Sequence, residues 1–163
     1  MSPGLDALET LNAAGERMAR RAFASAYEFD WCGSAVGKIR GSGEWDIAIV
    51  SREGVLHCAD VSTCQMRWTL DLGAKATSPI NVVSGDLDGE GRDNFLVGLP
   101  NGDLVAVDER NGAGVVSWKT SFDAGVREAI LADVDGDGLV EIIVETEDGR
   151  IRVLKGKSFT GPG

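Results

Sequence analysis

The sequence predicts an all-β fold of repeated units, with one α-helix at its N-terminal end. Three observations support this fold class. The chain has 22 glycines among 163 residues, which suits a protein with many tight turns. From residue 23 onward, short alternating apolar runs are separated by Gly-containing turns, the pattern of β-strands. Finally, three segments with one loop-and-strand pattern recur at intervals of 47–48 residues.

Residues 5–23 carry the pattern of an amphipathic helix. The apolar residues that recur there at three- to four-residue intervals are Leu5, Leu8, Leu11, Met18, Ala22 and Phe23. Acidic residues lie near the start of the segment and arginines near its end, the arrangement that complements a helix dipole. We therefore expect residues 1–22 to be a helical segment that packs on the β-repeats of residues 23–163.

The repeats share a loop, an apolar strand, a Gly turn and another alternating strand. The loops with the strands after them span residues 38–49, 86–97 and 133–144. The first two repeats then reach an aromatic residue in a final strand, Trp68 and Trp118. Four short strands at a period of roughly 45 residues are the pattern of β-propeller blades. The predicted blades span approximately residues 31–71, 78–122 and 126–156.

The loop of the third repeat concentrates carboxylates. Asp133, Asp135 and Asp137 alternate, and Glu141 follows four residues later. Such a cluster repels itself unless a hard cation with oxygen ligands is present, which favours calcium. The carbonyl of Leu139 is a candidate further ligand. The loop is not an EF-hand, because position twelve is a valine in a predicted strand instead of a glutamate. The alternative is a solvated acidic turn whose carboxylates accept hydrogen bonds from backbone amides.

The motif Asp-x-Asp-Gly-Asp-Gly-x-x-Glu-Ile-Ile-Val that begins at Asp133 resembles the FG-GAP/VCBS repeats of integrin-α-like propellers. The stretch 54–68 is similar to PQQ-like propeller repeats, with Cys64 where a glycine is usual. The likeness covers residues 23–163 approximately and omits the helix. It implies a loop that holds calcium through the side chains at loop positions one, three, five and nine.

Carried over to this chain, the resemblance implies two calcium loops of unequal strength. In the third repeat the ligands are Asp133, Asp135, Asp137 and Glu141, with Leu139 through its carbonyl. In the second repeat they are Asp86, Asp88, Glu90 and Asn94. The second site is expected to be weaker, because Glu90 is longer than the usual Asp and Asn94 is uncharged. In the first repeat Lys38 and Arg40 replace carboxylates, so we expect an ammonium–Asp46 pair there and no metal.

The third repeat lacks a predicted outer strand. Residues 23–30 resemble the outer-strand endings that contain Trp68 and Trp118, so the last blade is expected to be completed by an N-terminal strand or by a partner. Two chains that exchange this strand would close a six-bladed ring as a homodimer. The alternative is that other segments of a larger propeller complete the chain.

Composition excludes several classes of partner. A net charge of −10 argues against nucleic acid, since binding phosphates needs a positive surface. No run approaches the ~18 apolar residues of a membrane span. No secretory signal is visible, which predicts a cytoplasmic protein if the chain is full-length and allows an extracellular one if it is a fragment. Cys32, Cys58 and Cys64 are expected to be reduced and packed, with a Cys58–Cys64 bridge as the alternative.

The chain shows no catalytic motif. Its single histidine, His57, lies in an alternating apolar strand, and no nucleophile or phosphate-binding motif is present. The paired acids of a glycosidase would lie on opposite walls of a cleft, whereas these acids share one loop. No residues suggest a quinone cofactor.

The predicted function is a non-enzymatic, calcium-binding β-propeller module that acts as a protein-interaction or assembly scaffold. The alternatives are a carbohydrate-binding, lectin-like propeller and a fragment of a larger FG-GAP propeller protein. The tryptophans available for stacking on sugars are Trp31, Trp45, Trp68 and Trp118.

Overall fold

The computed structural model describes residues 7–22 and 31–155. The strands among these residues are β1 (Ala7–Leu11), β2 (Arg17–Ala22), β3 (Trp31–Gly37), β4 (Asp46–Ser51), β5 (Val55–Asp60), β6 (Met66–Asp71), β7 (Asn81–Gly85), β8 (Asn94–Gly98), β9 (Asp103–Arg110), β10 (Ala113–Ser121), β11 (Val126–Ala132), β12 (Glu141–Thr146) and β13 (Ile151–Leu154). They form four separate antiparallel sheets. No helix occurs in the described ranges, so the all-β prediction is confirmed there.

The predicted N-terminal helix is wrong. Strands β1 and β2 instead form a hairpin in which Ala7 pairs with Ala22 and Glu9 with Arg20. At the turn, the side-chain oxygen of Asn12 accepts hydrogen bonds from the backbone N–H groups of Ala14 and Glu16, at 2.9 and 3.0 Å. Local turn chemistry of this kind competes with the helix, and the helical spacing of the apolar residues did not reveal it. Leu5 and Phe23, at the ends of that pattern, lie outside the described residues.

The hairpin turn also contains Gly15, whose φ is +80°. A side chain is strained in this left-handed conformation, so glycine at this position favours a reversal of the chain over a continuous helix. Leu11 and Met18, which the helix prediction placed on a buried stripe, are 55% and 72% exposed. The segment therefore presents apolar side chains to solvent at its turn end.

The other three sheets follow one another along the chain. The first sheet contains β3–β6, the second contains β7–β10 and the third contains β11–β13, and in each the strands pair in sequence order. The opening strands β3, β7 and β11 lie beside one another. The third sheet has no fourth strand among the described residues. Residues 23–30, which we predicted as a strand that completes this sheet, lie outside the described residues.

Two apolar cores lie between the three sheets. Residues such as Val50, Leu56 and Phe95 pack between the first and second sheets. A second cluster, with Leu104 and Ile142, fills the space between the second and third sheets. Because burial of apolar surface dominates folding free energy, each sheet depends on its neighbour. The sheets are thereby stacked face to face, and their loops are held in equivalent positions.

Candidate metal-binding loops

Three equivalent loops join the first and second strands of the three sheets. We call residues 38–46 the first loop, 86–94 the second loop and 133–141 the third loop. In each, the fourth and sixth positions are glycines with positive φ: Gly41 and Gly43, Gly89 and Gly91, Gly136 and Gly138. The backbone path is therefore the same in all three, and the side chains on it decide what each loop can bind.

The third loop brings three carboxylates together. Oxygen atoms of Asp133, Asp135 and Glu141 all lie within 4.8 Å of one another. The two Asp133 oxygens accept hydrogen bonds from the N–H groups of Gly136 and Gly138, at 2.7 and 3.0 Å. Glu141 is 1% exposed. A buried carboxylate is costly without a compensating cation or hydrogen bonds, so this geometry suits a hard cation with oxygen ligands.

Asp137 and Leu139, also predicted as ligands, do not belong to that carboxylate group. The side chain of Asp137 instead accepts a hydrogen bond from the N–H of Leu139, at 2.9 Å. The backbone N–H of Val134 bonds to Glu141 at 2.9 Å. The carboxylates thus also cap backbone amides, as the alternative of an acidic turn predicts. Capping and metal binding are compatible, because a carboxylate has more lone pairs than one N–H uses.

Lys155 contributes a cation to the third loop. Its Nζ lies 2.5 Å from Asp135, and this hydrogen bond raises the pKa of Lys155 above its ordinary value. The side chain of Lys155 is 70% exposed. An ion pair at such a site is weak, so the ammonium group is a displaceable counter-ion for the loop.

The second loop repeats the hydrogen bonds of the third. Asp86 accepts from Gly89 and Gly91 at 2.8 and 2.9 Å, as Asp133 does from its glycines. Asn94 is 3% exposed and accepts from the N–H of Leu87 at 2.9 Å. Its amide group also donates to the carboxylate of Asp108. An amide therefore replaces the carboxylate of Glu141 here, which lowers the negative charge of the loop.

The other two predicted ligands of the second loop differ in their surroundings. Glu90 points to Arg92 and forms an ion pair at 2.7 Å. Asp88 accepts a hydrogen bond from the N–H of Glu90 at 3.1 Å. Burial raises the pKa of Asp88, and the nearby charges of Glu90 and Asp108 act in the same direction. These four side chains do not form a carboxylate group as close as that of the third loop.

The first loop carries its own cation. The guanidinium of Arg40 lies 2.8 Å from Asp46 and 2.8 Å from Asp60, and 3.2 Å from Glu44. Asp46 is 0% exposed. The predicted ammonium–Asp46 pair is therefore wrong in one respect, because the partner is a guanidinium. The ammonium of Lys38 lies 4.8 Å from the ring centre of Trp45 instead.

One further residue, at or near the end of the third strand of each sheet, contacts the loop of that sheet. This residue is Asp60 in the first sheet, Asp108 in the second and Lys155, just after β13, in the third. Asp60 binds Arg40, Asp108 accepts from Asn94, and Lys155 binds Asp135. Reasoning from the loop motif missed this position. Its signal was present in the sequence, because the three residues are spaced by the same 48 and 47 residues as the loops.

The remaining candidate residues take structural positions. Trp68 is 7% exposed and its indole N–H donates to Glu109 at 2.8 Å, and Trp118 packs beside the second core. Burial lowers the pKa of His57. The cysteines of the described residues are free thiols, so a Cys58–Cys64 bridge is not formed. Cys64 has φ of +56°, which agrees with its place at a position where PQQ-like repeats have glycine.

Comparison with solved structures supports the fold. BamB from Moraxella catarrhalis has a TM-score of 0.61 and 20% identity over 90% of this chain and 38% of its own. BBS1N in complex with ARL6DN has a TM-score of 0.68 and 18% identity over 95% of this chain and 44% of its own. Saccharomyces cerevisiae Sqt1 has a TM-score of 0.64 and 17% identity over 98% of this chain and 40% of its own.

These neighbours are β-propeller-like proteins, and at such identities the likeness concerns the fold alone. This chain spans less than half the length of each of them. No family model matches the chain. No curated protein sequence matches it either. Within residues 7–22 and 31–155, no helix is long and apolar enough to cross a membrane.

Proposed function

We propose that this chain is a β-propeller module that serves as a protein-interaction or assembly scaffold and that calcium stabilises it through the third loop. The observation that carries the proposal is the close grouping of Asp133, Asp135 and Glu141, whose oxygens lie within 4.8 Å of one another. Calcium acts structurally in this account. A cation that binds only the folded form raises its stability without any chemical step.

Comparison of the first loop with the third loop favours a bound cation in the third. At the equivalent place Arg40 supplies a guanidinium that binds the fully buried Asp46. The buried acid of the third loop, Glu141, has no arginine at the equivalent position, which is Asp135. Lys155 reaches Asp135, but its ammonium is largely exposed. A bound calcium ion would supply the missing positive charge, with Asp137 and the Leu139 carbonyl as the outer ligands that the motif implies.

We propose a weaker site in the second loop. Asp86, Asp88 and Glu90 are available there, but Asn94 uses its carbonyl oxygen for Leu87 and its amide for Asp108. Affinity for calcium depends on the charge and number of ligands. Loss of one carboxylate therefore favours a low-affinity or empty site.

The proposed scaffold is non-enzymatic. Its repeats are proposed to be of the FG-GAP/VCBS type, because of their loop motif. Two chains are proposed to close a six-bladed ring, or other segments of a larger propeller complete the fold. Likeness to BBS1N, which was solved in complex with ARL6DN, is compatible with a role in binding proteins. Glycan binding is the second candidate, and it is favoured by the half-exposed ring of Trp45.

Thermal unfolding with and without calcium tests the metal. At free calcium about 100 times Kd, EDTA should lower the Tm by roughly 5–10 °C, because binding of that strength stabilises the folded form by about 2.7 kcal/mol. The Asp133→Ala/Asp135→Ala double variant should lose this response and melt at or below the EDTA value of the unaltered protein, because Asp133 also accepts hydrogen bonds from Gly136 and Gly138.

A charge-matched control is Glu53→Ala/Asp123→Ala, which removes two exposed acids outside the loops. It should keep the full response to EDTA. If EDTA and added calcium leave the Tm of the unaltered protein unchanged, calcium has no place in the function. If the control loses the response as well, the effect comes from general charge and not from the third loop.

A further inference from the structure

One face of the third sheet is uncovered in the part of the chain that the structure describes. Its outward row consists of Ile130, Ile143 and Val153, which are paired across the three strands. Ile130 is 50% exposed and Val153 is 54% exposed. Ile151, in the next row, is 72% exposed. Neighbouring exposed apolar side chains of this kind mark interaction surfaces. We call these four residues the third-sheet face.

The equivalent rows of the other two sheets are buried at their second and third strands and half-buried at their first. They are Ala35, Ala48 and Cys58 in the first sheet and Val83, Leu96 and Ala106 in the second. Their central residues, Ala48 and Leu96, are both 0% exposed. The second sheet covers the first row, and the third sheet covers the second. The third-sheet face is therefore equivalent to two surfaces that each pack against the next sheet, but no next sheet covers it among the described residues.

The opposite end of the stack is the β1–β2 hairpin. It lies against the first sheet, where a cavity of about 390 Å³ is lined by Leu8 of the hairpin and by Ser34 and Ile49 of the sheet. Leu11 and Met18 of the hairpin are 55% and 72% exposed. We use the name hairpin end for the exposed residues Leu11, Arg17, Met18, Arg20 and Arg21.

The charges of the two ends are complementary. The hairpin contains Arg17, Arg20 and Arg21 against two glutamates, and Glu9 pairs with Arg17 and Arg20 at 3.3 and 2.9 Å. It therefore carries one net positive charge in a chain of net charge −10. The third-sheet face is flanked by Glu128 and Glu145, of which Glu145 pairs with Arg127 at 3.0 Å. Complementary charge of this kind orients two surfaces and disfavours like-with-like contact.

We infer that the third-sheet face docks the hairpin end of a second copy of this chain. The contact is head-to-tail, and two copies that make it reciprocally form a closed pair with two identical interfaces. One copy aligns to 38–44% of the single chains that share the fold, and a second copy would add further sheets to the stack. The inference rests on the proposed assembly role and replaces strand exchange with docking of faces.

Analytical ultracentrifugation of the full chain at about 1–100 µM tests the inference, because specific interfaces have Kd values on the order of micromolar or below. The unaltered protein should sediment as a dimer. Ile130→Glu/Val153→Glu and, separately, Met18→Glu should each weaken the dimer by about thirtyfold or more, as removal of a central apolar anchor does. All three side chains are exposed, so the variants should fold, and near-UV circular dichroism and Tm check this.

Mixing the two variants separates head-to-tail docking from its alternatives. Each variant keeps one intact surface, so an equimolar mixture should form a heterodimer through a single interface. Val116→Glu, at a 47%-exposed residue of β10, is the matched control and should remain dimeric. The inferred dimer has a Kd well below about 100 µM, so a monomer at that concentration for the unaltered protein overturns the inference. If Met18→Glu has no effect, the third-sheet faces pair with each other and the inference is wrong.

The docking inference and the calcium proposal fail separately. Sedimentation is measured both in calcium and in EDTA. A dimer that persists while calcium leaves the Tm unchanged removes the metal and keeps the docking surface. A monomer whose Tm rises with calcium removes the docking surface and keeps the metal.

Discussion

The first and third loops have one backbone and opposite ways of neutralising a buried acid. In the first loop the cation is the guanidinium of Arg40, attached to the chain and 15% exposed. In the third loop Glu141 is buried beside Asp133 and Asp135, and the attached cation, Lys155, is at the solvent edge. A covalent cation is always present, whereas a bound ion depends on its concentration. In the calcium proposal, the same fold therefore has one permanent brace, Arg40, and one conditional brace, the ion of the third loop.

The second loop lies between these two solutions. It keeps the aspartate that binds two glycine N–H groups, but its buried ninth residue is Asn94, whose amide donates to Asp108. The ninth residue is neutral here, and the buried Asp108 that it contacts also pairs with Arg110 at 3.4 Å. The constant element of the three loops is a buried polar side chain at the ninth position, Asp46, Asn94 or Glu141. The cation is the variable element.

Arg40→Ala tests the permanent brace and is expected to have the largest effect. It leaves Asp46 buried without its main partner, because the nearest remaining cation, Arg67, is 3.7 Å from the carboxylate. Removing one partner of a buried ion pair costs about 3–5 kcal/mol. Urea unfolding at pH 7 should show a loss of free energy of unfolding of about this size.

The matched control for Arg40 is Lys75→Ala. Lys75 pairs with Glu53, and both side chains are largely exposed, at 74% and 59%. Exposed pairs contribute about 0–1 kcal/mol, so this variant should be nearly as stable as the unaltered protein. If Arg40→Ala is no worse than Lys75→Ala, the first loop is not braced by its arginine and the contrast with the third loop disappears.

Asp60 gives the first loop an acid dependence of intermediate size. A hydrogen bond from the Ser62 hydroxyl holds the pKa of Asp60 well below its ordinary value, with Thr63 and Arg40 acting in the same direction against burial. The unfolded chain protonates this group near pH 3.8, whereas the folded chain keeps it ionised. Its stabilisation is therefore complete above that pH and is lost as pH falls toward the lower folded pKa.

Unfolding of Asp60→Asn against pH measures this contribution. The variant should be less stable than the unaltered protein at pH 6, and the difference should shrink as pH falls below about 4. Asp123→Asn, at an exposed acid outside the loops, should show no comparable change. A difference for Asp60→Asn that stays constant down to pH 2.5 would contradict the role of its ionised carboxylate.

Lys155→Ala tests the conditional brace and is expected to have the smallest effect. Removing the ammonium from Asp135 frees that carboxylate for calcium, so apparent calcium affinity should rise by less than about tenfold, because exposed pairs are weak. Isothermal titration calorimetry measures it. Lys119→Ala removes the same charge from Asp103 outside the loops and should leave the affinity unchanged. Equal affinity in both variants means that Lys155 does not compete with the metal.

The recurrence of the loops could be read from the sequence because glycine and acidic spacing are local. Gly136 and Gly138 are needed for the backbone path itself, so the motif predicts both the turn and the strand that begins at Glu141. The fold class followed from the same periodicity. What the loop then binds depends on residues from elsewhere. Asp60, Asp108 and Lys155 reach the loops from another strand, and only strand pairing brings them there.

The hairpin was mispredicted because the same segment contains both a helical spacing of apolar residues and residues that favour a turn. Leu8, Leu11 and Met18 satisfy a helical spacing, yet Asn12 and Gly15 between them favour a turn. Helices are stabilised mainly by packing of their apolar face, and among the described residues Leu11 and Met18 of that face are exposed. Side-chain spacing alone cannot tell whether such a core exists. The turn residues were the stronger evidence, since their conformational preference is intrinsic.

Within a single undocked chain, the third-sheet face also predicts the order in which the molecule opens. Each sheet contacts only its neighbours, so the three behave as a short linear array whose end member receives cohesion from one side. Val144 and Ile142 are sealed at 0% exposure on one face of β12, while Ile151 and Val153 of the edge strand lie in solvent. Backbone amides of β13 should therefore exchange with solvent hydrogen sooner than those of β8, which is enclosed between both cores. In physical terms, local opening propagates inward from the third sheet.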